Sequence, residues 1–522
     1  MSMDTKSNQM NGAESLVHTL LNNGIDTCFA NPGTSEMHFV AALDQIPGMR
    51  CILGLQENIV TGMADGFYRI AGKPACTLLH CGPGLANGLA NLHNARRAGS
   101  GIVNIVGDQA SYHRSFDAPL TADTDALART VSAWVRTTSS SAYVGHDAAA
   151  AVQTARAHPG NVATLILPSD SSWDQGGIVA ERLAPPTPPP LDPFSVENAA
   201  HILRSNRDVL ILLAGSAVLA PSQELVWRIA KATGAAVMAQ YVNGKIARGR
   251  GRLRLDRIPY SLDAATEALK PFGHIILVGA KPPVSFFAYP GKPSTQYRDD
   301  ARFHVLSRPD QDGADALLAL VDALGAPPAP IPDPGPSPEA IKGPPTPEGL
   351  AQTVAALMPD NAIISDESLS YGRSFYQYTH AAPQHDWLQL TGGAIGDGLP
   401  VATGAAIGAQ GQRRVISLQA DGSAMYSLQS LWTQARERLP STTIILSNRK
   451  YNILIGEYKA VGATPGATAM NMLDLSNPDL DWVKIANGMG VEAARATTLD
   501  SCADLMRESF RHQEPFLIEL II

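Results

Sequence analysis

The residues best suited to chemistry stand in two short loops, Ala420-Asp421-Gly422-Ser423 and Ser447-Asn448-Arg449-Lys450, with Asp421 and Asn448 27 positions apart. A carboxylate, an amide oxygen and a main-chain carbonyl make a hard-oxygen set that suits Mg²⁺ and leaves room for phosphate oxygens and water. Gly422 lets a ligand come close to the backbone. The chemistry implied is the holding of a diphosphate through a divalent cation. Each loop follows an apolar run, residues 415–418 and 442–446, that reads as a buried strand, and residues 426–436 read as a helix. Both loops therefore leave the carboxyl ends of neighbouring parallel strands, where open α/β sheets bind ligands.

A chain of 522 residues is too long for one core and suits three domains of ordinary size. Hydrophobic residues at 45% and charged residues at 17% describe a soluble globular protein. A net charge of −8 without basic clusters argues against nucleic acid. No apolar run reaches the length of a membrane span, and residues 1–10 lack the apolar centre of a signal peptide. The cysteines Cys28, Cys51, Cys76, Cys81 and Cys502 lack metal-ligand spacing and read as reduced thiols. The expectation is a cytoplasmic enzyme with neither nucleic-acid nor membrane partners.

Two proline-dense stretches, 184–193 and 326–347, cannot build a core and read as semi-rigid linkers. They predict domains at 11–180, 194–325 and 348–522, with linkers at 181–193 and 326–347. Strand-like runs at 26–30, 50–55, 75–80, 102–106 and 164–167 alternate with helical stretches such as 13–22 and 59–71. The pattern returns at 209–214, 235–239 and 274–278, and again at 362–365, 415–418, 442–446 and 516–520. Alternation of this kind predicts α/β architecture, with three doubly wound parallel-sheet domains. Leu213-Ala214-Gly215-Ser216-Ala217 follows a strand but lacks the glycine spacing of a dinucleotide loop.

The two acidic and amide loops resemble the thiamine diphosphate signature of the decarboxylase and acetolactate synthase superfamily, with Ala420 in place of the usual Gly and Ser447 in place of the usual first Asn. Phe29 to Glu36, Leu55-Gln56-Glu57-Asn58, Ala64-Asp65-Gly66-Phe67 and Leu79 to Gly84 occur in the order of that superfamily's pyrimidine-binding domain. The likeness covers the whole chain, and is strongest at 25–125 and 360–460. It implies three domains, pyrimidine-binding, central and diphosphate-binding. It implies Mg²⁺ held by the Asp421 and Asn448 side chains and the Lys450 carbonyl. Gly422 and Ser423 would meet the diphosphate at a helix start, where free N–H groups and the dipole favour an anion. Ser370 would stand in a second diphosphate loop. In the run Thr391 to Pro400, the Gly393 carbonyl would accept from the cofactor's amino group, and Ile395 would wedge between its rings.

The same resemblance makes Glu57 the carboxyl that exchanges a proton with the aminopyrimidine, which in turn generates the thiazolium ylide. Apolar surroundings would keep that carboxyl's pKa raised. His80 becomes an acid/base at the substrate end, as in the benzoylformate decarboxylase branch. Thr34 stands where that branch has a pocket serine, and Gln109 and His113 lie on the loop after 102–106. No second pocket histidine stands near Phe286-Phe287, and Ile453 and Glu457 replace a small and an aromatic residue. Anionic Glu457 would repel a second carboxylate and suit a hydroxylated or cationic group. Lys281-Pro282-Pro283 replaces an arginine contact of FAD-carrying relatives, so FAD is not expected. The implied activity is a 2-oxo acid decarboxylase or carboligase, whose enamine is protonated or adds to an aldehyde or second 2-oxo acid. The alternatives are an FAD-containing acetolactate synthase or flavin oxidase of the same superfamily, and a catalytically silent binding protein, against which Glu57 and the metal set argue. A homodimer or homotetramer would hold the cofactor between the N-terminal domain of one subunit and the C-terminal domain of another.

Overall fold

The computed structural model describes residues 10–522, and the polar residues 1–9 lie outside it. Six parallel strands come first: β1 (Thr27–Ala30), β2 (Arg50–Leu53), β3 (Ala75–Leu79), β4 (Ile102–Asp108), β5 (Trp134–Thr137) and β6 (Val162–Pro168). They form one sheet in the order β2-β1-β3-β4-β6-β5. β3, β4 and β6 are buried at every position, which is why they read as unbroken apolar runs. The chain moves outward from β1 to β2 and then returns to β3 on the other side of β1. That reversal is the topological switch point, where a doubly wound sheet opens a crevice.

The next strands are β7 (Val209–Leu213), β8 (Ala236–Ala239), β9 (Ile246–Arg248), β10 (Asp256–Arg257), β11 (His274–Val278) and β12 (Arg302–Ser307). Five of them build a parallel sheet, β10-β8-β7-β11-β12. The last are β13 (Ala362–Glu367), β14 (His385–Gln389), β15 (Val415–Ala420), β16 (Ser441–Ser447), β17 (Glu492–Ala496) and β18 (Phe516–Ile521), in the order β17-β18-β16-β15-β13-β14-β9. The three doubly wound α/β sheets are as expected, with one addition. β9 leaves the middle stretch and pairs antiparallel with β14, so the open edge of the third sheet is covered. Arg248 fixes it there, its guanidinium 3.5 Å from the centre of the Tyr376 ring.

The chain gathers into two compact units. One comprises the described residues up to Thr187 with Gly392–Gln412 and Ser427–Glu437; the other comprises Pro188–Thr391, Arg413–Tyr426 and Arg438–Ile522. Within the first, the helix Glu57–Ala71 starts where the Gln56 side chain accepts the Asn58 N–H at 2.6 Å. It packs backbone to backbone on the helix Gly398–Gly408. A Cβ on Gly404 would lie 1.9 Å from the Met63 carbonyl oxygen, and one on Gly66 2.1 Å from that of Val401. The helix expected at 426–436 is corrected: Asp421–Ala424 and Ser430–Arg436 are separate short helices. At the start of the second, the N–H groups of Ser430, Leu431 and Trp432 bond three residues back, to Ser427, Leu428 and Gln429, and a continuous α-helix needs four. No helix of the described residues is long and apolar enough to cross a membrane.

Candidate active site

In the first unit, the turns after β1 and β3 meet at the switch point. The one after β1 runs through Gly33 into the 3₁₀ turn Thr34–Glu36. Glu36 is buried, and its carboxylate takes the Gly33 N–H at 2.7 Å, the Ser35 hydroxyl, and His80 Nδ1 at 3.0 Å. A carboxylate only accepts, so Nδ1 is the ring atom placed to donate to Glu36, and Nε2 faces away from it. The ring lies against Gly33, where a Cβ would be 2.2 Å from His80 Cγ. Cys81 begins the helix Cys81–Ala98 with φ of 52°, and its Sγ is 3.2 Å from Ser35 Oγ. Burial, aided by Glu36 and Asp108, pushes this thiol up to about 11, so it stays protonated and is no nucleophile near neutral pH.

Glu57 opens its helix beside this pair. A Cβ on Gly84 would lie 3.1 Å from Glu57 Oε1 and 3.4 Å from His80 Cβ, so the glycine makes room for both groups. The apolar enclosure expected around Glu57 is absent among the described residues of this chain. The carboxylate is half-buried, and its Oε2 accepts from Asn87 Nδ2 at 3.0 Å, because the start of the helix lies at the open end of the sheet. Thr34 is exposed at the start of its turn. Gln109 is half-buried, its N–H donating to Asp108 Oδ1 at 2.8 Å. Burial raises the Asp108 carboxyl, and Arg114, 3.4 Å away, opposes that shift. His113 is exposed and packs on Phe116, with ring centres 5.8 Å apart.

Residues 392–397 are pinned to the helix Cys81–Ala98. Asn94 Nδ2 donates to the Ala394 carbonyl at 2.8 Å, Asn91 Nδ2 to that of Gly396 at 3.3 Å, and His93 Nε2 lies 3.2 Å from the Gly392 oxygen. Gly393 and Gly396 have φ of 79° and 91°, a backbone region that favours glycine. Ile395, between them, is half-buried on a loop held at both ends.

In the second unit, Asp421 joins the loops after β15 and β16. Its carboxylate accepts the Gly422 N–H at 2.8 Å and the Arg449 N–H at 2.6 Å. Asn448 Oδ1 accepts the Lys450 N–H at 3.0 Å, and the Lys450 carbonyl accepts that of Asn452 at 2.9 Å. Burial pushes the Asp421 carboxyl up, and only main-chain N–H groups oppose it. Among the described residues no cationic side chain pairs with this buried carboxylate, and with the Asn448 amide oxygen and the Lys450 carbonyl on the adjoining loop it fits a hard divalent cation, which would provide the missing charge. Ser423 is buried and donates to the Ala420 carbonyl at 3.1 Å. The helix it sits in has four residues, so main-chain N–H groups rather than a long dipole must hold an anion here. A Cβ on Gly422 would lie 2.5 Å from the Tyr451 ring. Ser370 Oγ is 3.5 Å from Asn452 Nδ2, which brings the second loop to the same corner.

Three features escaped the sequence reading. Glu36 was within reach of it, since a Glu three residues after a Gly can close its own turn, as it does here. The ties from Asn91 and Asn94 had no signal. Nor did the Glu457 carboxylate between two phenols: Tyr260 donates to Oε1 at 3.1 Å and Tyr289 to Oε2 at 2.8 Å, and Tyr260 is 197 residues from Glu457 in sequence.

The family description "Thiamine pyrophosphate enzyme, N-terminal TPP binding domain" matches residues 10–129, and "Thiamine pyrophosphate enzyme, C-terminal TPP binding domain" matches residues 370–520. The Mycobacterium tuberculosis protein IlvX, named provisionally as an acetolactate synthase large subunit, is 48% identical over 98% of this chain and 99% of its own. Benzoylformate decarboxylase of Pseudomonas aeruginosa is 30% identical over 96% of this chain and 97% of its own. Among solved structures, the thiamine diphosphate-dependent 4-hydroxybenzoylformate decarboxylase of Rhodococcus jostii RHA1 superposes with a TM-score of 0.82 at 25% identity, covering 98% of both chains. Likeness of this extent, with both cofactor domains matched, means that the chain belongs to the thiamine pyrophosphate-dependent enzymes and is related to acetolactate synthase and benzoylformate decarboxylase.

Proposed function

We propose that the chain is a thiamine diphosphate- and Mg²⁺-dependent enzyme that decarboxylates a 2-oxo acid and either releases an aldehyde or joins the remaining fragment to a second carbonyl. The observation that carries this reading is the imidazole of His80, locked by Glu36 at 3.0 Å and set beside the Glu57 carboxylate over Gly84. Bound thiamine diphosphate supplies a nucleophilic carbon for the 2-oxo group and a ring that accepts the electron pair as CO₂ leaves. Glu57 holds or releases a proton at a carboxyl oxygen. His80, its Nδ1–H committed to Glu36, keeps Nε2 for proton exchange with the reacting fragment. Asp421, Asn448 and the Lys450 carbonyl would hold Mg²⁺, with Gly422, Ser423 and Ser370 at the diphosphate. Gly393 and Ile395 would seat the pyrimidine and keep the rings apart, and Thr34, Gln109 and His113 would border the substrate. The smallest working form in this reading is a homodimer, with Glu57 of one subunit serving the Asp421 half-site of the other.

Titration calorimetry with thiamine diphosphate, with and without Mg²⁺, tests the first half of the proposal, and a screen of 2-oxo acids for CO₂ release, with and without acceptor aldehydes, tests the second. No cofactor binding overturns the reading. Binding with neither CO₂ nor a new carbon–carbon bond leaves a binding protein of this fold. The Glu57→Gln variant is expected to bind the cofactor and lose turnover by about 100-fold or more.

A further inference from the structure

The helix Asn452–Ala460 begins four residues after Asn448, at the corner where Ser370 meets Asn452, and so leads away from the metal and diphosphate loops. Ile453 and Glu457 are one turn apart and share a face of it. A chain lying along this face passes an apolar side chain first and reaches a carboxylate about 6 Å further on. That carboxylate is held in place, each oxygen accepting one phenolic O–H, from Tyr260 and Tyr289. Burial and the neighbouring Glu457 push both phenols up, Tyr289 to about 12, so they remain donors throughout the neutral range. Two acceptor positions on the carboxylate stay open.

Around it stands an aromatic wall. Ring centres are 5.5 Å apart for Tyr241 and Tyr260, 5.8 Å for Tyr260 and Phe286, and 4.9 Å for Phe286 and Phe287. Phe286 and Phe287 are about half exposed, at 46% and 55%. Among the described residues no cationic side chain pairs with Glu457. The wall nonetheless accepts cations: the Arg373 guanidinium lies 4.9 Å from the centre of the Tyr260 ring. A second carboxylate would be repelled here, and an alkyl group would desolvate the Glu457 charge without compensation. An added hydroxyl would donate to one of the open acceptor positions but would leave the charge uncompensated. A cation gains both the carboxylate and the ring faces.

The geometry points to Glu457, with Tyr241, Tyr260, Phe286 and Tyr289, as the specificity subsite for a 2-oxo acid whose side chain ends in a guanidinium or alkylammonium group. This rests on the reading of the adjoining loops as the cofactor's diphosphate half-site. The test uses the full-length protein with thiamine diphosphate and Mg²⁺, and compares CO₂ release from 2-oxo-5-guanidinopentanoate, 2-oxohexanoate and 2-oxoglutarate. The cationic acid is expected to exceed the neutral one in kcat/KM by about tenfold or more. In Glu457→Gln that ratio should fall by about tenfold, and in Glu457→Lys preference should move to 2-oxoglutarate. Binding of unreactive 5-guanidinopentanoate, followed by calorimetry, should weaken to a similar degree in Glu457→Gln. The subsite is refuted if the native protein prefers the neutral acid, or if the guanidino compound binds native and Glu457→Gln proteins alike. Should no 2-oxo acid release CO₂ while that binding depends on Glu457, the decarboxylase reading fails and the subsite stands.

Discussion

The Glu36–His80 pair shows how one residue's chemistry depends on another that sequence leaves obscure. His80 was legible, because a histidine after β3 sits where the benzoylformate decarboxylase branch has one. Its partner lies 44 residues away and matters only because the fold buries it where the turns after β1 and β3 touch. Glu36 accepts from three groups, so replacing one of its oxygens with an NH₂ would set donor against donor and turn the imidazole. In Glu36→Gln, kcat is expected to fall on the order of 100-fold through misplacement of the ring, with thiamine diphosphate affinity retained. Glu36→Asp should recover part of the loss. Steady-state kinetics beside cofactor titration would expose a structural effect if affinity fell together with kcat. The Asp421 and Asn448 loops were legible for the opposite reason, since their oxygen donors sit on segments whose apolar strands are visible in the chain.

At the scale of elements, strands that are long apolar runs were readable, and short or polar ones were not, the three-residue β9 among them although it is fully buried. β17 is Glu-Ala-Ala-Arg-Ala, whose residues favour helix, and only pairing with β18 makes it a strand. β14, His-Asp-Trp-Leu-Gln, looks polar, yet four of its five positions are buried, with His385 Nδ1 satisfied by the Pro383 carbonyl at 2.7 Å. The helix Glu57–Ala71 also hides a charge cluster. Arg69 Nε donates to Asp65 Oδ1 at 2.8 Å and the guanidinium lies 4.0 Å from Asp397, all three residues being buried. Burial works against the Arg69 charge, and the two aspartates more than offset it. Arg69→Met removes the cation and leaves two buried carboxylates, so stability should drop by about 3–5 kcal/mol. Urea denaturation would measure it, and a loss below about 1 kcal/mol would mean that water reaches the cluster.

For the whole molecule, the proline-dense stretches stand out in the sequence, whereas the association of Gly392–Gln412 with the first unit rests on glycine contacts between helices that no local pattern reveals. Global stability carries a similar hidden dependence, on acid. Burial, reinforced by Arg248, lowers His380 to about 2 and His385 to about 3. In the unfolded chain both titrate near 6.5, so below that pH the unfolded state binds protons that the folded state refuses. Stability from these two residues is therefore complete above about pH 6.5 and declines on acidification, by about 2.7 kcal/mol per pH unit once both are fully protonated in the unfolded chain. Carboxylates lowered by their ion-pair and hydrogen-bond partners, such as Asp26 and Asp481, contribute only nearer pH 4, which leaves the range between as a window for the histidines. Against a total of about 5–15 kcal/mol, the fall of about 4 kcal/mol by pH 5 is a large share of the stability. Urea midpoints at pH 7.5, 6.0 and 5.0 for the native chain and for the double variant His380→Asn, His385→Asn should show a distinctly shallower slope in the variant. Equal slopes would mean that these histidines already exchange protons with solvent in the folded state.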